Sequence, residues 1–257
     1  MQPASKRQES DMRELRAFLK SGDWAAWDET VTDQRRGLPP PPLEKPAPPD
    51  APRVALVPPE RFSVGAMPLL QAIGQRRSRR KYTDDALSLE ELSFLLWATQ
   101  GVQRVINEGR NSLRTVPSAG ARHPFETYLL VNRVVGLAPA LYRYLPLEHE
   151  LCLLKAEEGL AAAVDAACQE QYVLNSAVTF IWTVLPARGE WRYATLAHRI
   201  MLMDAGHVCQ NLYLACEALG AGACAIGAYD QARLDELLGV DGEEEFTIYV
   251  ATVGRVL

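Results

Sequence analysis

Residues 200–219, IMLMDAGHVCQNLYLACEAL, constrain the fold more than any other stretch of this chain. Wound as a helix they are apolar on nearly every side and rich in Ala, Gly and Cys. Such a helix cannot face water and must be packed all round, in a domain core or at a subunit interface. Residues 177–184, AVTFIWTV, are β-branched and aromatic, the composition of a central strand. With 48% apolar residues, a 257-residue chain has the material for a sizeable core around both.

The remaining pattern surrounds these two elements with short ones. Strands are expected at 127–132, 141–145, 150–154 and 246–253, the middle two forming a hairpin around Pro146-Leu147-Glu148-His149. Residues 68–73 suit a helix running into a basic segment. Ser88 followed by Glu91 is a capping box, opening a helix whose Leu92, Leu95, Leu96 and Ala98 follow helical spacing and which Gly101 ends. Helices are also expected at 11–20, over the Ala-rich 156–168, and at 231–238 behind an Asp230 cap. Residues 103–114 read as an irregular, mobile polar loop. The mixture predicts an α+β sandwich with helices on the sheet faces. Residues 38–49, LPPPPLEKPAPP, form neither helix nor ladder. They read as a stiff surface spacer or a docking segment, so residues 1–60 are an arm and 61–257 a domain.

A net charge of −5 argues against nucleic acid or an anionic membrane as partner. Cys152, Cys168, Cys209, Cys216 and Cys224 form no CxxC pair and sit in apolar segments, as reduced, buried small hydrophobes do. No metal-ligand spacing is present. The first twenty residues lack the apolar core of a signal peptide and no run is long enough to span a bilayer, so a soluble, cytoplasmic protein is expected.

Two segments carry the chemistry. Arg76-Arg77-Ser78-Arg79-Arg80-Lys81-Tyr82 concentrates guanidinium donors and a hydroxyl at a helix end. Arginine engages phosphate oxygens bidentately and serine completes the cradle. The alternative is a solvated basic helix end favoured by the macrodipole. Thr115 to Pro124, with Pro117-Ser118-Ala119-Gly120 at its centre, is a small-residue turn that lets a flat ligand approach the backbone, unless it is an ordinary structural turn. A phosphate at one end and a planar ring at the other is the shape of FMN. Three charge-assisted hydrogen bonds would supply roughly 5–9 kcal/mol of the ~12 kcal/mol that nanomolar binding needs. A third small-residue run, 218–229, could set a backbone N–H against a ring nitrogen. Its Gly220-Ala221-Gly222 follows a helix, where a dinucleotide fingerprint follows a strand, which excludes a Rossmann fold.

As a set these residues resemble the nitroreductase superfamily. The motifs are Arg-Arg-Ser-x-Arg-x-Tyr at 76–82, Leu-Ser-x-Glu-Glu-Leu-Ser-x-Leu-Leu-Trp-Ala-x-x-Gly at 87–101, Pro-Ser-Ala-Gly at 117–120, Leu-Tyr-x-Tyr at 141–144, and Asp204-Ala205-Gly206-His207 before Asn211-Leu212. The order is most similar to the SagB-type, or thiazole/oxazole (azoline), dehydrogenase branch, from about residue 67 onward. The resemblance implies an FMN-binding α+β sandwich with a mainly antiparallel sheet, in a homodimer with each flavin near the subunit interface. It implies that Arg76, Arg77 and Ser78 hold the phosphate and that Arg80 lies near the pyrimidine edge, stabilising the anionic reduced ring. Pro117, Ser118, Ala119 and Gly120 would line the flavin, Ile226, Gly227 and Ala228 would approach N5, and Arg255 would reach toward the phosphate.

Three departures qualify the match. The asparagine and the acidic residue of many simple nitroreductases are replaced at Ala121 and Gly227. The Lys-Tyr pair of azoline oxidases is Arg192-Tyr193 here, and arginine cannot act as a base. Arg80, Tyr193 and Arg192 remain the candidate catalytic residues, with packed aromatic as the alternative for Tyr193. His123 could contact ring or substrate, His207 reads as a core residue, and His149 and His198 as surface and packing residues. The expected activity is FMN-dependent transfer of hydride or electrons between NAD(P)H and a small organic acceptor. Oxidation of a peptide azoline beside a cyclodehydratase partner is the second reading, and a non-enzymatic flavin-binding subunit the third.

Overall fold

The computed structural model describes residues 6–22 and 24–257. Its centre is a seven-stranded sheet made of β1 (Arg53–Ala55), β4 (Phe125–Val131), β5 (Ala140–Leu145), β6 (Glu150–Lys155), β7 (Val178–Val184), β8 (Ala221–Ile226) and β9 (Phe246–Arg255). The strand order is β1-β6-β5-β4-β7-β9-β8, every neighbouring pair antiparallel. The AVTFIWTV run is an interior strand, β7, between β4 and β9, and every one of its residues from Val178 on is buried. Side chains alternate across it as a period of two requires. Phe180 and Trp182 join Leu129 and Ala251 on one face, while Ile181 joins Tyr128, Leu130 and Val250 on the other.

Helices cover both faces. On the first, α3 (Leu89–Gln100) contributes Leu92, Leu95 and Leu96, each wholly buried and each stabilising by roughly 1.5–3 kcal/mol. Beside it α6 (Ala197–Ala218) buries Val208, Leu212 and Cys216. On the second face α4 (Leu160–Ala167) and α7 (Gln231–Leu238) bury Val164, Leu234 and Leu238. Local signals set the ends. Ser88 Oγ accepts from Glu91 N at 3.1 Å and Glu91 Oε2 accepts from Ser88 N at 2.8 Å, opening α3. Asp230 Oδ1 accepts from Arg233 N, opening α7. Helix α6 is half-covered rather than buried all round: Leu202 and Met203 stay exposed.

One expected loop is a hairpin. Residues 103–114 are not an irregular loop: β2 (Val102–Ile106) and β3 (Asn111–Arg114) pair as a hairpin. Val102, Val105 and Ile106 favour strand, and Asn107, Glu108 and Gly109 turn the chain at positive φ. The small-residue run after α6 forms β8, with Ala221, Ala223 and Ile226 buried. Its small residues answer a neighbour. Gly222 lies opposite Gly254 on β9, and the basic segment crosses directly over the pair. A Cβ on Gly222 would fall 2.5 Å from Arg79 Cβ, and one on Gly254 would fall 2.8 Å from the Tyr82 ring.

The proline-rich arm is bonded along the domain. Arg143 donates to the carbonyls of Lys45 and Pro46, each at 2.9 Å, and Arg114 donates to Leu43 O at 3.0 Å. Lys45 N donates to Glu126 Oε1, Leu147 N to Glu44 Oε2, and β1 extends the sheet beside β6. Beneath the arm Glu126 pairs with Arg188 at 2.5 Å, both almost wholly buried. All five cysteines are free and buried. Among the described residues no helix is long and apolar enough to cross a membrane.

Candidate active site

Helix α2 (Leu69–Gln75) ends before the basic segment, with Arg76 as its C-cap in extended conformation. From there the chain runs beside β8: Arg79 N donates to Ala223 O at 2.8 Å, and Ser78 and Ala223 form a parallel bridge. Two residues of α6 fix it. Glu217 accepts from Arg77 N and pairs with Arg79 Nε at 3.8 Å. Tyr213 OH accepts from Ala225 N at 2.8 Å and lies 2.9 Å from Ser78 Oγ. Tyr213 thus bridges the β8 backbone and the Ser78 hydroxyl. Arg76 stacks its guanidinium 5.4 Å from the Tyr213 ring centre. Among the described residues Arg76, Arg77 and Arg80 form no ion pair, and Arg77 and Arg80 are exposed. The guanidinium of Arg255 is engaged instead: it pairs with Glu91 at 2.5 Å and donates to Leu219 O at 3.0 Å. Ile226 is packed in the smaller core and almost wholly buried, whereas Gly227 and Ala228 are exposed.

The second cluster forms at the other half of α6. Asp204 Oδ2 accepts from Ser118 Oγ at 2.7 Å and from Ala119 N at 3.2 Å, and Ser118 Oγ accepts from His123 N at 2.9 Å. Burial raises the Asp204 carboxyl above the usual aspartate range, against those two bonds. Gly120 turns the chain at φ +61°, and a Cβ there would meet Arg192 Cδ at 2.4 Å and Tyr193 OH at 2.9 Å. The structure therefore brings Pro117–Gly120 and the Arg192-Tyr193 pair of α5 (Pro186–Tyr193) into contact. Arg192 donates to Gln34 Oε1 at 3.1 Å. A cavity of about 730 Å³ opens beside the turn, lined by Pro117, Ser118, Ala119, Tyr193, Asp204 and His207 among others. A second, of about 690 Å³, lies between the arm and the β2–β3 turn and is lined by none of the expected cofactor residues.

The two clusters are apart in one chain. Asp204 precedes Tyr213 by nine residues and Glu217 by thirteen, about 14 and 20 Å along the helix axis at 1.5 Å per residue.

The histidines sort differently from expectation. His207 is not a core residue: its side chain is 51% exposed at the cavity rim, Nδ1 3.9 Å from Asp204 Oδ1. His123 is buried, and burial with the nearby Arg114 charge pushes it down to about 3, so the ring is neutral. His149 Nε2 faces Val57 O, which only accepts, so Nδ1 accepts from Tyr144 OH at 2.8 Å. His198 meets Glu190 at the surface. Sequence reasoning assigned no role to Tyr213, Glu217 or Asp204. Their signal was a polar group at intervals along an otherwise apolar helix.

The fold is an antiparallel α+β sandwich with a basic segment beside its edge strand and a small-residue turn over its long helix. The chain belongs to the nitroreductase family, whose model matches residues 73–255. A relative described as a nitroreductase, MJ1384 of Methanocaldococcus jannaschii, is 33% identical over 181 residues, 70% of this chain and 87% of its own. The trifolitoxin-processing protein TfxB of Rhizobium leguminosarum bv. trifolii is 28% identical over 166 residues, 60% of this chain, and the match spans only 44% of TfxB. Nitroreductase structures from Anabaena variabilis and Ralstonia eutropha superpose with TM-scores of 0.66 and 0.64 at 25% and 28% identity. They cover 81% and 86% of this chain, and 42% and 99% of theirs. The same fold recurs in the E. coli microcin synthetase McbBCD complex with truncated pro-MccB17 bound (TM-score 0.59, 18% identity, 79% of this chain and 78% of that one). It recurs also in a Desulfovibrio desulfuricans nitroreductase in complex with FMN (0.50, 23%, 74% and 86%).

Proposed function

We propose that this chain is an FMN-dependent oxidoreductase of nitroreductase type, passing hydride or electrons between NAD(P)H and a small organic acceptor. The observation that carries the reading is the segment 76–80. Among the described residues three arginines without ion-pair partners gather beside the Ser78 hydroxyl on one edge of the sheet. That donor set fits a phosphate monoester. Bound FMN would supply the redox chemistry; the protein supplies position and charge. Arg76, Arg77 and Ser78 hold the phosphate, and Arg80 places positive charge beside the ring. Gly227 and Ala228 offer exposed backbone. The turn 117–120, its polar groups turned inward to Asp204, presents a small-sided floor.

The working unit in this reading is a homodimer. A two-fold partner would let the turn of one chain approach the basic segment of the other. The exposed Leu69, Leu70 and Ile73 of α2, with Leu202 and Met203 of α6, are apolar surface that such a partner would cover.

Apoprotein mixed with FMN is expected to acquire a flavin spectrum, bleached by anaerobic NADPH and restored by nitrofurazone. Apoprotein that takes up no FMN overturns the proposal. The similarity to TfxB favours a second reading, oxidation of an azoline in a peptide. It predicts bound flavin that NADPH leaves oxidised, and azoline oxidation gained on Arg192→Lys.

A further inference from the structure

One wall of the cavity beside the turn comes from outside the family-matched residues. Trp24, far upstream of residue 73, lines it together with Tyr193, Ile200, Met203 and Asp204. Its indole meets the Tyr193 ring edge to face, centroids 6.2 Å apart at 70°. Trp27 completes the group, 5.4 Å from Trp24 and 5.8 Å from Tyr193. The segment is fastened rather than draped. Arg35 stacks 4.6 Å over Trp27 and donates to the carbonyls of Trp27, Asp28 and Thr30. Gln34 N donates to Trp191 O, and its side-chain oxygen accepts from Arg192. Trp24 keeps 38% of its surface open. The other apolar walls are half-buried Ile200 and exposed Met203, with Asp204 and His207 as polar groups at one side.

We propose that Trp24 is a specificity-determining wall of the acceptor subsite, stacking on a planar, uncharged aromatic or heteroaromatic ring. This rests on the reading that the turn 117–120 lines the flavin. Aromatic faces favour offset stacking on flat rings, and a cavity of this size holds a ligand of one to three rings. Asp204 is bonded inward to Ser118 and Ala119 and is unsuited to an anionic acceptor. The family domain would then carry the redox centre, while the upstream segment selects what reaches it.

The test uses the full chain, flavin-loaded, in wild-type, Trp24→Ala, Trp24→Leu and Trp24→Phe forms. Coumarin, flat and neutral, serves as the probe, its affinity measured by calorimetry and flavin content by visible absorbance. Trp24→Ala and Trp24→Leu are expected to weaken coumarin by about tenfold and Trp24→Phe by less than about threefold. KM for nitrofurazone should rise in step, with kcat and flavin content close to wild type. Trp24→Leu retains apolar packing against Tyr193 and guards against a variant that fails to fold. Equal coumarin affinity in folded, flavin-loaded Trp24→Leu and wild type overturns the Trp24 assignment alone. Coumarin binding that depends on Trp24 in a protein unable to bind FMN overturns the flavin reading instead.

Discussion

The two halves of α6 hold their loops by opposite means. Near its C-terminus Tyr213 and Glu217 grip backbone and hydroxyl groups of the basic segment, using only Arg79 as an ion-pair partner and leaving the charges of Arg76, Arg77 and Arg80 outward. Near its N-terminus Asp204 consumes the polar donors of the turn, so that Pro117 to Gly120 offer shape without free hydrogen-bonding side chains. One end is a charged cradle and the other a steric floor. A phosphate and a flat ring ask for that division.

Substitutions at the two ends should separate these roles. Asp204→Ala leaves the Ser118 hydroxyl and the Ala119 N–H without their acceptor, and is expected to lower unfolding free energy by about 1–3 kcal/mol. Because the phosphate end is held elsewhere, the preference for FMN over riboflavin should survive; its loss would join the two ends into one site. Tyr213→Phe removes the bridge from Ala225 N to Ser78. FMN affinity should fall about fivefold to tenfold with about 1 kcal/mol of stability. Riboflavin titration alongside shows whether the loss is confined to the phosphate.

A smaller effect probes the proline-rich segment 38–49. Burial, with Glu148 and Glu126 nearby, raises the Glu44 carboxyl from its ordinary 4.5 to about 7, against the bond from Leu147 N. A raised carboxyl binds its proton more tightly in the folded state, so folding stability declines as pH rises from 4.5 through 7. Glu44→Gln removes that decline. Thermal unfolding should show the variant gaining about 1 kcal/mol on wild type between about pH 5 and pH 8, a figure discounted for partial exposure. A parallel shift at both pH values would contradict it.

Where structure followed from neighbours in sequence, the chain was legible. The Ser88–Glu91 box, the Asp230 cap and the Gly101 stop rest on contacts within four residues, and the β7 run declares a central strand by composition alone. What stayed hidden depends on distant partners. Gly222 and Gly254 are small because Arg79 and Tyr82 cross above them, a fact no local window contains. His207 lies on an apolar helix yet faces a cavity, since only part of α6 is covered within one chain. Trp24 carries no motif and reaches the cavity only because the upstream segment is pinned to Trp191 and Arg192. The motif residues 76–78 and 117–120 were legible as candidates, while Tyr213 and Asp204, which hold them, required the fold.

The most direct measurement compares FMN with riboflavin, which lacks the phosphate, on the apoprotein and on an Arg76→Ala/Arg77→Ala variant. The account predicts FMN binding at least about a hundredfold tighter than riboflavin in wild type, from two or more charge-assisted hydrogen bonds. In the variant that margin should collapse while riboflavin affinity stays the same. Equal affinities in wild type, or a variant that weakens both ligands alike, would contradict a phosphate cradle at residues 76–78.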